Sequence, residues 1–128
     1  MNTQLLMAAS AIVMGVAGIL FSFMPQEVLS YVSSDPSLVN SLIVQLMGAL
    51  YFSFAMANWT AKANLIGGIY NRPLAIGNLT HFIIGALALS KGYMSSRLNV
   101  ILVPCTLYVV FGVLFGMVFF THPVKKES

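Results

Sequence analysis

The chain has 128 residues, of which 59% are hydrophobic and 7% charged, with a mean hydropathy of +0.90. A soluble domain carries roughly 25% charged residues, so this composition excludes an ordinary water-facing globular surface and points to the bilayer as solvent. The net charge of +3 comes from six basic and three acidic residues scattered outside the long apolar runs, which excludes the single basic face of a nucleic-acid binder. The length predicts one domain over 1–128.

The first uncharged run, Leu5–Met24, is long enough to cross a membrane. Spanning takes about 20 mainly apolar residues. No basic n-region precedes the run, so it reads as a retained helix and not a cleaved leader. Pro25 ends it, because a proline ring disfavours helix for the residue before it. Along the run, Ala8, Ala11, Gly15, Gly18 and Ser22 recur at spacings of three and four. Helices in lipid associate through such small residues, so this stripe is read as a packing face.

The second span, Leu38–Ala61, follows "SSDPS", which offers caps and a proline to start a helix. At 100° per residue, Gln45, Gly48, Phe52, Ala55 and Trp59 share one broad face, with Tyr51, Asn58 and Lys62 at its edge. Beyond it, "NWTAKANLIGGIYNRPLAIGNLTH" gathers much of the chain's polarity into one stretch. Trp59, Lys62, Tyr70 and Arg72 are read there as anchors at the membrane–water boundary.

The third span is placed at Leu74–Ser90, making it the shortest, with Pro73 in its first turn, where the missing N–H costs nothing. Leu74, Asn78, His81, Gly85 and Ala88 line up along it. "KGYMSSR" is read as a polar hairpin leading to the fourth span, Leu98–Thr121. There Pro104 is expected to kink the helix, and Gly112 and Gly116 to allow close approach. The fold class predicted is therefore all-α: an integral membrane four-helix bundle with four transmembrane helices and short loops. Runs this long exclude barrel strands.

Lys62, Arg72, Lys125 and Lys126 fall on one side of this layout, and Lys91 and Arg97 on the other. That bias predicts an inner-membrane protein with both termini cytoplasmic.

His81 sits well inside a span, and an ionisable residue at such depth is a functional hypothesis by default. The plainer reading is a neutral histidine bonded to Asn58, Gln45 or a tyrosine, fixing helix register. Gln45, Tyr51, Asn58, Asn78 and His81 form the predicted intramembrane polar cluster. Within it, Asn58 is expected to meet Asn78, and His81 to bond deeper, to Tyr51 or Ser53.

Little chemistry fits these residues. Cys105 is the sole cysteine, excluding a disulfide framework. No carboxylate lies in any span, so metal catalysis lacks ligands. A bis-histidine haem needs both rings at one depth, and His122 lies at the far end of its helix. No nucleophile, base and orienter come together. The sequence therefore predicts neither an enzyme nor a cofactor.

The run "GALYFSFAMANWTAKANLIGGIYNRPLAIGNLTHFIIGALAL" resembles a group of small bacterial four-helix membrane proteins. More distantly, the layout is similar to DoxX-like membrane proteins and the small scaffold proteins of sterol biosynthesis. The resemblance implies an accessory or scaffold subunit, with membrane lipids, a second copy or another membrane protein as partner. The alternative is binding or transport of a lipid-like or quinone-like molecule between the second and third spans near His81. A redox subunit using His81 stands third.

Overall fold

A computed structural model describes residues 2–32, 37–63 and 71–121. Five helices are present among them: α1 Thr3–Phe23, α2 Pro25–Val32, α3 Leu38–Ala61, α4 Arg72–Ser96 and α5 Leu102–Thr121. A 3-10 turn, Asn99–Ile101, precedes α5, and no strand occurs among the described residues. Four segments are long and apolar enough to cross a membrane: Thr3–Phe23, Leu38–Ala61, Arg72–Ser96 and Asn99–Thr121. The protein is an all-α, multi-pass membrane protein.

Local chemistry sets the helix ends. The Asn2 side-chain oxygen accepts the Leu5 N–H at 3.2 Å and caps α1. Ser37 Oγ accepts the Asn40 N–H, also at 3.2 Å, and caps α3. In each case a short polar side chain satisfies a first-turn donor that has no partner within the helix. Asp35 and Pro36, expected to help start α3, lie outside the described residues. Pro73 stands in the first turn of α4, as its chemistry demands.

Three boundaries differ from the sequence reading. Pro25 opens a new eight-residue helix instead of a loop, since its fixed φ suits a first helical position. The third span is the longest, at 25 residues, because "KGYMSS" stays helical. Gly92 lowers helix propensity by only about 1 kcal/mol, too little to stop a long helix. The chain turns at Arg97, whose φ of 56° is left-handed and whose N–H returns to the Tyr93 carbonyl. Pro104, expected to kink the fourth span, instead falls in the first turn of α5, where no N–H bond is lost. The carbonyl its ring would strike belongs to Val100, which lies in the 3-10 turn.

The chain divides into two compact units, Met7–Thr60 and Ala61–Ser128 with Met1–Leu6. In the first, α1 and α3 meet backbone to backbone. A Cβ built on Gly18 would lie 2.7 Å from the Phe52 nitrogen, and one on Gly48 would lie 2.7 Å from the Ser22 nitrogen. Real Cβ atoms do not approach so closely, so both positions require glycine. Gly15, in the same stripe, is less constrained: a Cβ there would meet only Ala55 Cβ, at 3.5 Å.

The second unit pairs α4 with α5 through aromatic rings. Phe82, 1% exposed, stacks on Phe111 and Phe115 at centroid distances of 5.0 and 5.7 Å and meets Tyr108 edge-on. Tyr108, Phe111 and Phe115 lie at spacings of three and four, hence on one face of α5. Gly112 and Gly116 are less constrained than Gly18 and Gly48. A Cβ on Gly112 would meet the Ile83 side chain at 3.7 Å and α4 backbone at 3.8 Å, and one on Gly116 the Leu79 side chain at 3.6 Å, all ordinary distances.

Candidate functional site

His81 sits on α4 between two charges that mark its depth. Arg72, at the start of the helix, and Lys91 are nineteen positions apart, about 28 Å along an α-helix. That matches the roughly 30 Å hydrocarbon core of a bilayer. His81 is about 13 Å from the first and 15 Å from the second, which puts it at the midplane. Arg72 is exposed, and its guanidinium stands 5.9 Å above the Phe119 ring near the end of α5. A cation held over an aromatic face at a helix end suits a membrane boundary.

At the midplane, His81 Nε2 and Tyr108 Oη lie 3.0 Å apart and share a hydrogen bond. The His81 ring also meets Phe82 edge-on at 5.2 Å. Gly85, one turn beyond His81, makes the notch for Tyr108: a Cβ at this position would overlap the tyrosine ring. Four α4 and α5 residues therefore fix one polar contact. Phe82 orients both rings, Gly85 admits the phenol, and the phenol meets the imidazole. One turn toward the start of α4, fully buried Asn78 donates its Nδ2 to the Leu74 carbonyl at 3.0 Å. Ser90 Oγ and Cys105 Sγ pair at 3.4 Å, giving the lone cysteine a polar neighbour.

The other predicted polar residues belong to the Met7–Thr60 unit. Asn58 is fully buried and donates to Ser10 Oγ at 3.0 Å, while that hydroxyl donates to the Met7 carbonyl. Ser10 carries no mark of its own in the sequence. It lies three and four positions from buried Met7 and Met14, and that spacing places it on the inward face of α1. Tyr51 is half-buried and packs on Phe21 at 5.4 Å. Gln45 is exposed, and its amide donates to the Ser22 carbonyl at 3.4 Å. It stands thirteen positions from Asn58, about 20 Å along α3, so these two cannot belong to one cluster. Ser53, expected as a partner for His81, turns its hydroxyl back to the Ala49 carbonyl.

Of the boundary anchors, Trp59 is exposed two residues before the end of α3, and Lys62 is half-buried in the turn after it. Tyr70, His122, Lys125 and Lys126 lie outside the described residues. Beside Trp59, the surface of α1 and α3 holds an apolar groove of ≈ 240 Å³ floored by Ala11, Gly15 and Ala55 and walled by Phe52 and Met56. Among the described residues, no group of three or more His, Cys, Asp or Glu side chains could hold a metal ion. No buried side-chain nitrogen or oxygen lacks a hydrogen bond there.

These features define a class: a small multi-pass membrane protein with internally satisfied polar side chains and one histidine–tyrosine contact at mid-membrane depth. Comparison with family models, curated proteins and solved structures found no match to the chain.

Proposed function

We propose that the protein is a non-catalytic accessory or scaffold subunit of the inner membrane, whose intramembrane polar groups serve helix packing. The observation that carries this reading is that these groups find hydrogen-bond partners within the protein, none of the buried ones among the described residues being left unsatisfied. Ser10 and Asn58 bond each other, Asn78 bonds the backbone of its own helix, and His81 bonds Tyr108. A scaffold also needs outer surface for its partners. Leu42, Leu46, Leu50 and Met56 of α3, each at least 49% exposed, give it a broad apolar flank. The basic residues favour both termini in the cytoplasm. Reporter fusions at Ser95 and after Ser128 should then report the outer and the cytoplasmic side respectively; a shared side would remove one span from the layout, and exchanged sides would reverse it.

A second reading draws on the depth of His81. Substrate sites of membrane carriers lie near the midplane, and the histidine–tyrosine pair offers hydrogen bonds to a quinone-like or lipid-like headgroup. Substitution at His81 separates the two. Under the scaffold reading, His81→Ala loses the interhelical hydrogen bond to Tyr108, and such bonds are worth about 0.6 kcal/mol each in membranes. Thermal stability in detergent then falls by a few degrees. Gly85→Ala, which drives a Cβ into the Tyr108 ring, lowers it in the same direction, and partner assembly is reduced in step with stability. A His81→Ala protein of unchanged stability that had lost a bound small molecule would favour the second reading.

A further inference from the structure

We infer that α2 is an interfacial helix that seats Phe23, Met24, Tyr31 and Val32 in the headgroup–acyl boundary of the bilayer, with phospholipid as its binding partner. Helix lengths fix its depth. α1 has 21 residues, about 31 Å, which uses the whole hydrocarbon core. α2 starts two residues after α1 ends, so it begins where the hydrocarbon stops. Its eight residues reach about 12 Å, too short to cross anything.

The junction shows that this is a directed change and not a frayed end. Met24 N–H still bonds the Leu20 carbonyl, and Val28 N–H bonds the Met24 carbonyl. Between these two rungs Pro25 has no N–H to give to the Phe21 carbonyl, so the ladder is interrupted and the helix can bend there.

The residue pattern of α2 suits a boundary between oil and water. Pro25 and Leu29 are buried. At 100° per residue, Gln26, Ser30 and Glu27 cluster within about 100° of the circumference, and all three are exposed. Val32 and Val28 fall beside the buried stripe on the other side, and Tyr31 lies between Val28 and Glu27, about 140° from Gln26. Tyr31 is 72% exposed, Val32 45%, and at the junction Phe23 is 81% and Met24 43%. Four large apolar side chains at headgroup depth would be left in water unless lipid covers them. Tyrosine, with an apolar ring and a polar tip, is enriched at this level. Glu27 is the only charge on the helix, so attraction to anionic headgroups does not hold it. Insertion of apolar surface does.

Single-tryptophan depth measurement on the full-length protein tests the proposal. Trp59 is the only tryptophan, so Trp59→Phe gives a silent background. Tyr31→Trp and Gln26→Trp are then compared in phosphatidylcholine–phosphatidylglycerol vesicles. Lipid brominated near the headgroup should quench the position-31 indole, with acrylamide quenching several-fold weaker than at position 26. The difference should survive high salt. Acrylamide quenching equal at both positions would overturn the proposal. So would shielding at position 31 from acrylamide and brominated lipid alike, because protein would then cover the face. Phe23→Trp gives an independent reading of the same boundary if the Tyr31 variant does not fold.

Discussion

Gly48→Ala is expected to destabilise the detergent-solubilised protein by about 1–3 kcal/mol, the usual range for overpacking a tight contact. The added Cβ would sit 2.7 Å from the Ser22 backbone nitrogen and 2.9 Å from the Gly18 carbonyl oxygen. Neither atom can escape by changing rotamer, so α1 and α3 must separate. In lipid, helices are held by van der Waals packing and not by expulsion of water, so lost contact is lost affinity between them. Gly18→Ala strikes the same contact from the other side, at the Phe52 nitrogen and the Gly48 carbonyl. The double variant should cost less than the sum of the two singles, because one separation relieves both clashes. Gly92→Ala is the control: nothing lies within 4 Å of its added Cβ, and alanine suits a helix better than glycine. Thermal melts in one detergent should rank Gly92→Ala at or above wild type and both tight-contact variants well below. Equal melting of all would show that α1 and α3 do not touch in this way.

Phe82→Ala should be costlier still, at about 3–5 kcal/mol if the surroundings do not collapse. Phe82 touches the rings of His81, Tyr108, Phe111 and Phe115, so its removal opens a cavity at the centre of the α4–α5 contact. Much of the loss is dispersion between ring atoms that have no other partner. The same change frees the His81 and Tyr108 rings from the neighbour that orients them, so loss of stability should accompany increased mobility of the Tyr108 ring in NMR. Phe82→Leu, which keeps most of the volume, should recover part of the stability. If Phe82→Ala melted like wild type, the aromatic cluster could not be what joins these helices.

Much of this architecture is legible in the sequence because hydrocarbon imposes strong rules. Long uncharged runs give the four spans, and Leu38–Ala61 matches α3 residue for residue. Other features follow weaker rules. α2 is hidden because a proline after a span reads as a stop, although proline is also a good first helical residue. "KGYMSS" looks like a hairpin because lysine and glycine interrupt an apolar run. Past the hydrocarbon, polar residues and glycine are compatible with helix, and α4 continues. Glycine stripes locate packing faces but do not rank their members. Gly18 and Gly48 press into backbone, whereas Gly15 and Gly116 meet side chains, and Gly112 a side chain and backbone, all at ordinary distances. His81 stands out by its depth, and a tyrosine is among the partners its chemistry suggests. That the tyrosine is Tyr108 depends on the packing of α5, where a phenol amid apolar residues carries no local mark.

Native mass spectrometry of the protein, released from gentle detergent, tests the scaffold reading most directly because stoichiometry and bound ligands appear in one spectrum. The account predicts an assembly, either several copies of the chain or the chain with another membrane protein, carrying no stoichiometric small molecule other than phospholipid. A monomer that retains one quinone-like molecule per chain, and loses it in the His81→Ala variant, would contradict the scaffold reading and establish a ligand-binding protein instead.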